Sequence, residues 1–326
     1  MNEIVTEVVS TFGDFERQIK EFNFYVEEQS RKYGEIYIPV FRGVHEKKEQ
    51  GIVLEKYLKP SIVVNELVSR EREIIDEIKR LRPLEFNNLS ELDLLGKCQH
   101  FSLPTRLLDF SRSPYVALFF AVTYFQKCPF NLREIDKCPN FLDRDYKVYC
   151  VAAKLKKSIY TSKIASVATK FNNGEDNFVE DFLFGENFSK ENFVRAVEDI
   201  ICEAHFFYPK FYTQREQNQQ SIFLILSNYI QDKQGIIDFT KPNWAKGLYS
   251  IKKREDLKKR FVFQNDLINP FLNDMSNKLF IKEIIISGGL IAELKEKLDF
   301  LGIDESFLFP ENIEYTSGRI IKNFRG

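Results

Sequence analysis

The sequence predicts an α+β fold, a single domain in which one mixed sheet is surrounded by helices. Three observations carry that reading. Apolar runs at 36–44, 146–155, 221–226 and 279–287 read as strands, while 61–82 and 292–301 hold a helical period. No linker, repeat or low-complexity segment divides the chain. The 326 residues are 44% apolar and 29% charged, an ordinary globular composition with enough length for a large core. An N-terminal helical extension over 1–30 precedes the main domain over 31–326.

Taken in order, 3–28 shows helical spacing, with Val5, Val8 and Val9 and then Phe15, Ile19, Phe22 and Tyr25 recurring. Gly13 and Asp14 divide it into two helices. Residues 36–44 form a strand in which Pro39 argues for an edge or a strand start. Arg42 and Gly43 close that strand, and Gly43 lets the backbone turn or approach a bound group. The strongest amphipathic helix spans 61–82. Glu91 to Lys97 makes a short helix that Gly96 can end. An irregular insertion covers 126–145, and 156–192 shows no clean period. Residues 193–202 read as helical, and His205 to Phe211 ends a strand or turn at Pro209. The basic run 251–260 reads as a solvated helix face. Leu279 to Ser287 is a buried strand, and Gly288-Gly289 lacks both phosphate-loop spacings, so it reads as a turn. The helix Ala292 to Leu301 turns Leu294, Leu298 and Leu301 inward.

The formal net charge is −1, from 47 basic and 48 acidic residues, so no global basic field calls for nucleic acid. Any such contact has to be a local patch. The five cysteines are odd in number, with no Cys-x-x-Cys pair and no Cys/His cluster, which argues against a zinc site and a disulfide framework. Cys98, beside Gln99 and His100, reads as a small buried hydrophobe, with a nucleophile as the alternative. The acidic, amphipathic N-terminus does not read as a signal peptide. No run approaches the ~18 apolar residues of a membrane span. The expectation is a soluble, cytoplasmic protein with no resident metal.

The chemistry gathers between Cys98 and Phe125. Gln99 to Ser113 sets His, Thr, two Arg, Asp and three Ser among Leu and Phe, and Pro114 to Phe125 is almost wholly apolar. Ser113 can cap and Pro114 can start a buried helix. The helix N-terminus favours an anion, with Arg106 and Arg112 in the same loop. Alternatively, Arg106 pairs with Asp109 and Ser113 merely caps. No Ser-His-Asp arrangement or Gly-x-Ser-x-Gly elbow accompanies His45, His100 and His205.

Phe41-Arg42-Gly43, followed by Gln99, His100, Pro104, Thr105, Arg106, Leu107, Leu108 and Asp109 and then Ala117 and Ala121, resembles the FRG-domain family. That family takes its name from the Phe-Arg-Gly motif. Tyr208-Pro209, Arg215, Gln219-Gln220 and Phe223 resemble its third block, and Leu308-Phe309-Pro310 its closing block. The likeness spans about 36–322.

The order of parts is also similar to the layout of ADP-ribosyltransferases. That layout has an aromatic-Arg-Gly strand, then a Ser-Thr-Ser-like strand before an Ala/Phe-rich helix, then a strand led by a catalytic Glu. The resemblance implies an ADP-ribosyltransferase-like core and NAD as a consumed substrate. Its catalytic residues would be Arg42, His100, Asp109 and Glu216. Arg42, Gly43, Arg106, Ser111 and Ser113 would hold the dinucleotide. It further implies ADP-ribosyl transfer or NAD glycohydrolysis by a prokaryotic toxin or anti-phage effector, with a macromolecular acceptor. The third segment departs from the pattern, with Gln217, Gln219 and Gln220 around Glu216. An amide cannot stabilise a developing cation, so Glu216, Glu203 or Asp109 must supply the charge. The alternative is a non-catalytic nucleotide- or RNA-binding module using Arg42, Arg106, Arg112 and Arg215.

Overall fold

The computed structural model describes residues 5–47, 71–101, 103–123, 144–154, 189, 191, 205–210, 213–225, 229–232, 261–264 and 281–311. The irregular stretch 156–192, apart from residues 189 and 191, the whole of 193–202 and the basic run 251–260 fall outside them. The first half contains β1 (Val5–Val9), α1 (Phe12–Tyr33), β2 (Tyr37–Lys47), α2 (Glu71–Leu81), α3 (Pro83–Phe86), α4 (Glu91–His100), β3 (Leu107–Ser111) and α5 (Pro114–Val122). The second half contains β4 (Arg144–Lys154), β5 (His205–Phe207), α6 (Gln214–Asn218), β6 (Ser221–Ile225), β7 (Tyr229–Asp232), β8 (Phe261–Gln264), β9 (Ile281–Ile286), α7 (Ile291–Phe300) and α8 (Glu305–Leu308).

One mixed sheet of seven strands organises the molecule, in the order β1-β9-β4-β2-β3-β6-β5. Only β1 and β9 run parallel; the other neighbours in this sheet are antiparallel. The pair β7–β8 forms a separate ribbon. No helix among the described residues is long and apolar enough to cross a membrane.

The helical reading of Val5, Val8 and Val9 is corrected. These residues form an edge strand whose rungs run from Val5↔Lys282 to Val9↔Ile286. Three β-branched valines suit the pleated surface, and tertiary pairing overrides the local period. A single helix follows. The Thr11 hydroxyl accepts the Asp14 N–H at 3.0 Å to start it, Gly13 lies inside its first turn, and Gly34 ends it at φ 65°. Gly34 supplies the left-handed conformation that most residues avoid.

Phe15, Ile19, Phe22 and Val26 of α1 bury against one face of the sheet. α5 and α7 cover the same face, over Phe41, Val148, Cys150, Ala152, Ile284 and Ile286. α5 is apolar all round because it is buried nearly all round, which is the condition under which such a helix is stable. Leu294 and Leu298 point inward as expected, whereas Leu301 lies just beyond α7 and stays about half exposed.

Two glycines are used for close packing. A Cβ on Gly43 would lie 1.7 Å from the Ala117 carbonyl oxygen and 2.7 Å from the Ala121 nitrogen. Gly43 therefore lets α5 rest directly on β2. Gly96 does not end α4, which continues to His100; instead a Cβ there would meet the Phe223 ring at 3.0 Å. Pro39 stands near the start of an interior strand. β3 meets β2 at the single rung Phe41↔Ser111, so β2 has its β4 neighbour alone at Pro39.

Candidate functional site

β2 and β3 diverge from that single rung, and Arg42 and Asp109 face each other across the divergence. Arg42 Nη1 donates to the Asp109 carbonyl oxygen at 2.6 Å. The Asp109 carboxylate is exposed and accepts from Gln99 Nε2 at 2.7 Å. Gln99 Oε1 accepts from the Thr105 hydroxyl at 2.5 Å, and that hydroxyl accepts the Leu107 N–H at 3.2 Å. The relay fixes the Gln99 amide with its nitrogen toward Asp109 and its oxygen toward Thr105. Arg42 is half-buried. Burial pulls its guanidinium below the usual pKa, opposed first by Asp109 and then by Tyr149. An arginine keeps its charge through such a shift.

His100 ends α4, edge-on to the Phe223 ring with centroids 5.5 Å apart. Its Nε2 lies 3.5 Å from Glu216 Oε1 without making a hydrogen bond. Burial lowers its pKa, while the Asp109 and Glu216 carboxylates act to raise it. Glu216 is only 1% exposed and completes a capping box. Its Oε2 accepts the Thr213 N–H at 2.9 Å, and the Thr213 hydroxyl accepts the Glu216 N–H at 3.2 Å. Thr213-x-x-Glu216 is thus a helix-start signature, and the carboxylate is turned inward.

The remaining expected residues are engaged within the fold. Arg106 is wholly buried and offers no surface to solvent. The Ser111 hydroxyl donates to the Gln219 carbonyl at 2.7 Å and accepts the Ser113 N–H at 3.0 Å. Ser113 caps α5 by accepting the Val116 N–H at 3.3 Å. Arg112 is exposed, with its guanidinium carbon 5.9 Å from the centroid of the Tyr208 ring.

The third block clasps the closing block. Arg215 pairs with Glu311 at 3.1 Å and lies 4.7 Å over the Phe309 ring. Asn218 donates to the Phe307 carbonyl, and Gln219 Nε2 donates to the Leu308 carbonyl at 3.1 Å. Gln220 takes φ 47° as it turns into β6, and its carbonyl accepts the Arg112 N–H at 3.0 Å.

The structure therefore joins Arg42, Gln99, Thr105 and Asp109 in one bonded group and sets His100 against Glu216. A further polar group, absent from the sequence reading, lies beside Arg42. Rungs Arg42↔Tyr149, Tyr149↔Glu283 and Thr6↔Glu283 align four side chains in one row across β2, β4, β9 and β1. Directly opposed residues share a face, here the one opposite Phe41 and Val148. Glu283 Oε1 accepts from the Tyr149 hydroxyl at 3.1 Å and from Lys147 Nζ at 2.9 Å, and Oε2 accepts from Thr6 at 3.1 Å. Lys147, Tyr149 and Glu283 are all buried. Their trace in the sequence is a lysine inside YKVYC and a glutamate inside KEIII, charges where a strand core should be apolar.

A family model described as the FRG domain matches residues 38–128. That span includes the Phe41-Arg42-Gly43 strand, the Gln99–Asp109 segment and α5. No curated protein and no solved structure matches the chain.

Proposed function

Starting from a chain that is an FRG-domain family protein, we propose that the Arg42–Asp109 junction binds the pyrophosphate of a nucleotide such as NAD and supports ADP-ribosyl transfer or NAD hydrolysis. One observation carries the reading. A half-buried guanidinium is held at a fixed place beside an exposed carboxylate whose own position is set by Gln99. A planar guanidinium suits paired phosphate oxygens. A carboxylate close by can accept a ribose hydroxyl or stabilise positive charge at the anomeric carbon. Asp109 takes that second role in this reading, because the Glu216 carboxylate is buried within the capping box of α6. An effector role in a prokaryotic toxin or anti-phage system is the biological form that such an activity takes under the resemblance.

The burial of Glu216 favours a second reading, a non-catalytic nucleotide- or RNA-binding module built on the same Arg42. Incubating the purified protein with NAD and quantifying nicotinamide separates the two. The enzyme reading expects release that Asp109→Asn reduces at least tenfold and Arg42→Ala abolishes. Saturable binding without release supports the module, and neither binding nor release removes both. Expression in bacteria, followed by measurement of the NAD pool, tests the effector role.

A further inference from the structure

We infer that Tyr149 is a positioning residue for Arg42, anchored from behind by Lys147 and Glu283; this rests on the reading of Arg42 as the phosphate-binding residue. Arg42 and Tyr149 are direct cross-strand partners, so their side chains leave the sheet side by side on one face. Tyr149 is wholly buried, and its hydroxyl is tied to Glu283 on the next strand. Glu283 is held in turn by Lys147 and by Thr6 on the edge strand. Every carboxylate oxygen of Glu283 has a donor, and the ring cannot swing without breaking that set. The aromatic wall beside Arg42 is therefore rigid on one side, while the Asp109 carbonyl grips Nη1 on the other.

The chemistry explains why a buried ion pair serves here. Burying Lys147 and Glu283 contributes little to stability, because desolvation offsets most of their attraction. What the pair does supply is fixed geometry for the tyrosine that both share. A long arginine side chain loses rotamer freedom when it binds, and a site that has already ordered it loses less. The row from Thr6 to Arg42 thus prearranges the guanidinium before any ligand arrives.

The test uses Tyr149→Phe, which keeps the ring and removes its hydroxyl, and Glu283→Gln, which keeps an acceptor. The first readout needs no ligand. Hindered rotation of the Arg42 guanidinium gives separate Nη signals by NMR in the free wild-type protein, assigned by their loss in Arg42→Lys. The expected result is averaged signals in Tyr149→Phe and signals still separate in Glu283→Gln. Unchanged separation in Tyr149→Phe overturns the inference.

The second readout is ADP-ribose affinity, expected to weaken roughly threefold to tenfold in Tyr149→Phe. The same change in an Arg42→Lys background is expected to have no further effect. An equal loss in both backgrounds would mean general loosening and would also overturn the inference. If the wild-type protein orders Arg42 yet binds no ADP-ribose, the nucleotide reading fails while the positioning of Arg42 by Tyr149 stands.

Discussion

Arg42 and Gly43 stand side by side and do opposite things. Arg42 leaves the sheet on the face of the polar row, while Gly43 faces α5 and gives that helix room. Arg42→Ala is expected to lose nucleotide binding at a stability cost of about 0.5–1.5 kcal/mol, the scale of one hydrogen bond. Chemical denaturation alongside a binding titration checks both halves. Gly43→Ala should instead destabilise by upward of about 3 kcal/mol, because the new methyl meets helix backbone rather than a movable side chain.

His100 gives a pH signature. Its folded pKa is depressed by burial, so the unfolded chain takes up a proton that the folded chain refuses. Stability should therefore rise with pH through the window below about 6.5 and fall on acidification. Denaturation midpoints between pH 7 and pH 5 should show that slope, and His100→Gln should flatten it. A steeper slope in the variant would show that His100 is not its source.

At the scale of elements, α5 is the support on which the site rests. Phe119 is buried, whereas Phe120 is half-buried, edge-on both to Phe119 and to Phe309 of the closing block. Phe119→Ala is expected to cost ~3–5 kcal/mol and Phe120→Ala measurably less. Equal costs in urea unfolding would mean that the helix is seated differently.

What was legible at this scale divides by distance along the chain. The Ser113 cap, the Pro114 start and the apolar run of α5 are local, and the residues state them directly. The strand β1 was not legible, because a half-exposed edge strand shows no two-residue alternation and its partner lies some 280 residues away. Gly96 was misread for a related reason. Glycine near a helix end is usually a stop signal, but here Phe223, far along the chain, packs against it.

For the whole molecule, the sheet collects residues that no local pattern connects. Arg42 and Asp109 sit within the motif, so their proximity could be expected from the resemblance. Tyr149 and Glu283 become site neighbours only through the order β9-β4-β2, which sequence spacing does not encode. The same network links the N-terminal edge strand to β4, whose Tyr149 is the rung partner of Arg42. Glu283→Ala leaves Lys147 buried without its carboxylate, and it should destabilise by ~3–5 kcal/mol. A thermal shift smaller than that of an ordinary surface substitution would show that the row does not tie the strands together.

Whether a nucleotide pyrophosphate sits on Arg42 beside Asp109 is decided by a structure of the protein with ADP-ribose. The expected result is a phosphate oxygen ~2.7–3.2 Å from the Arg42 guanidinium, with a ribose hydroxyl near the Asp109 carboxylate. Ligand bound elsewhere on the molecule, with Arg42 still engaged only by protein, would contradict it.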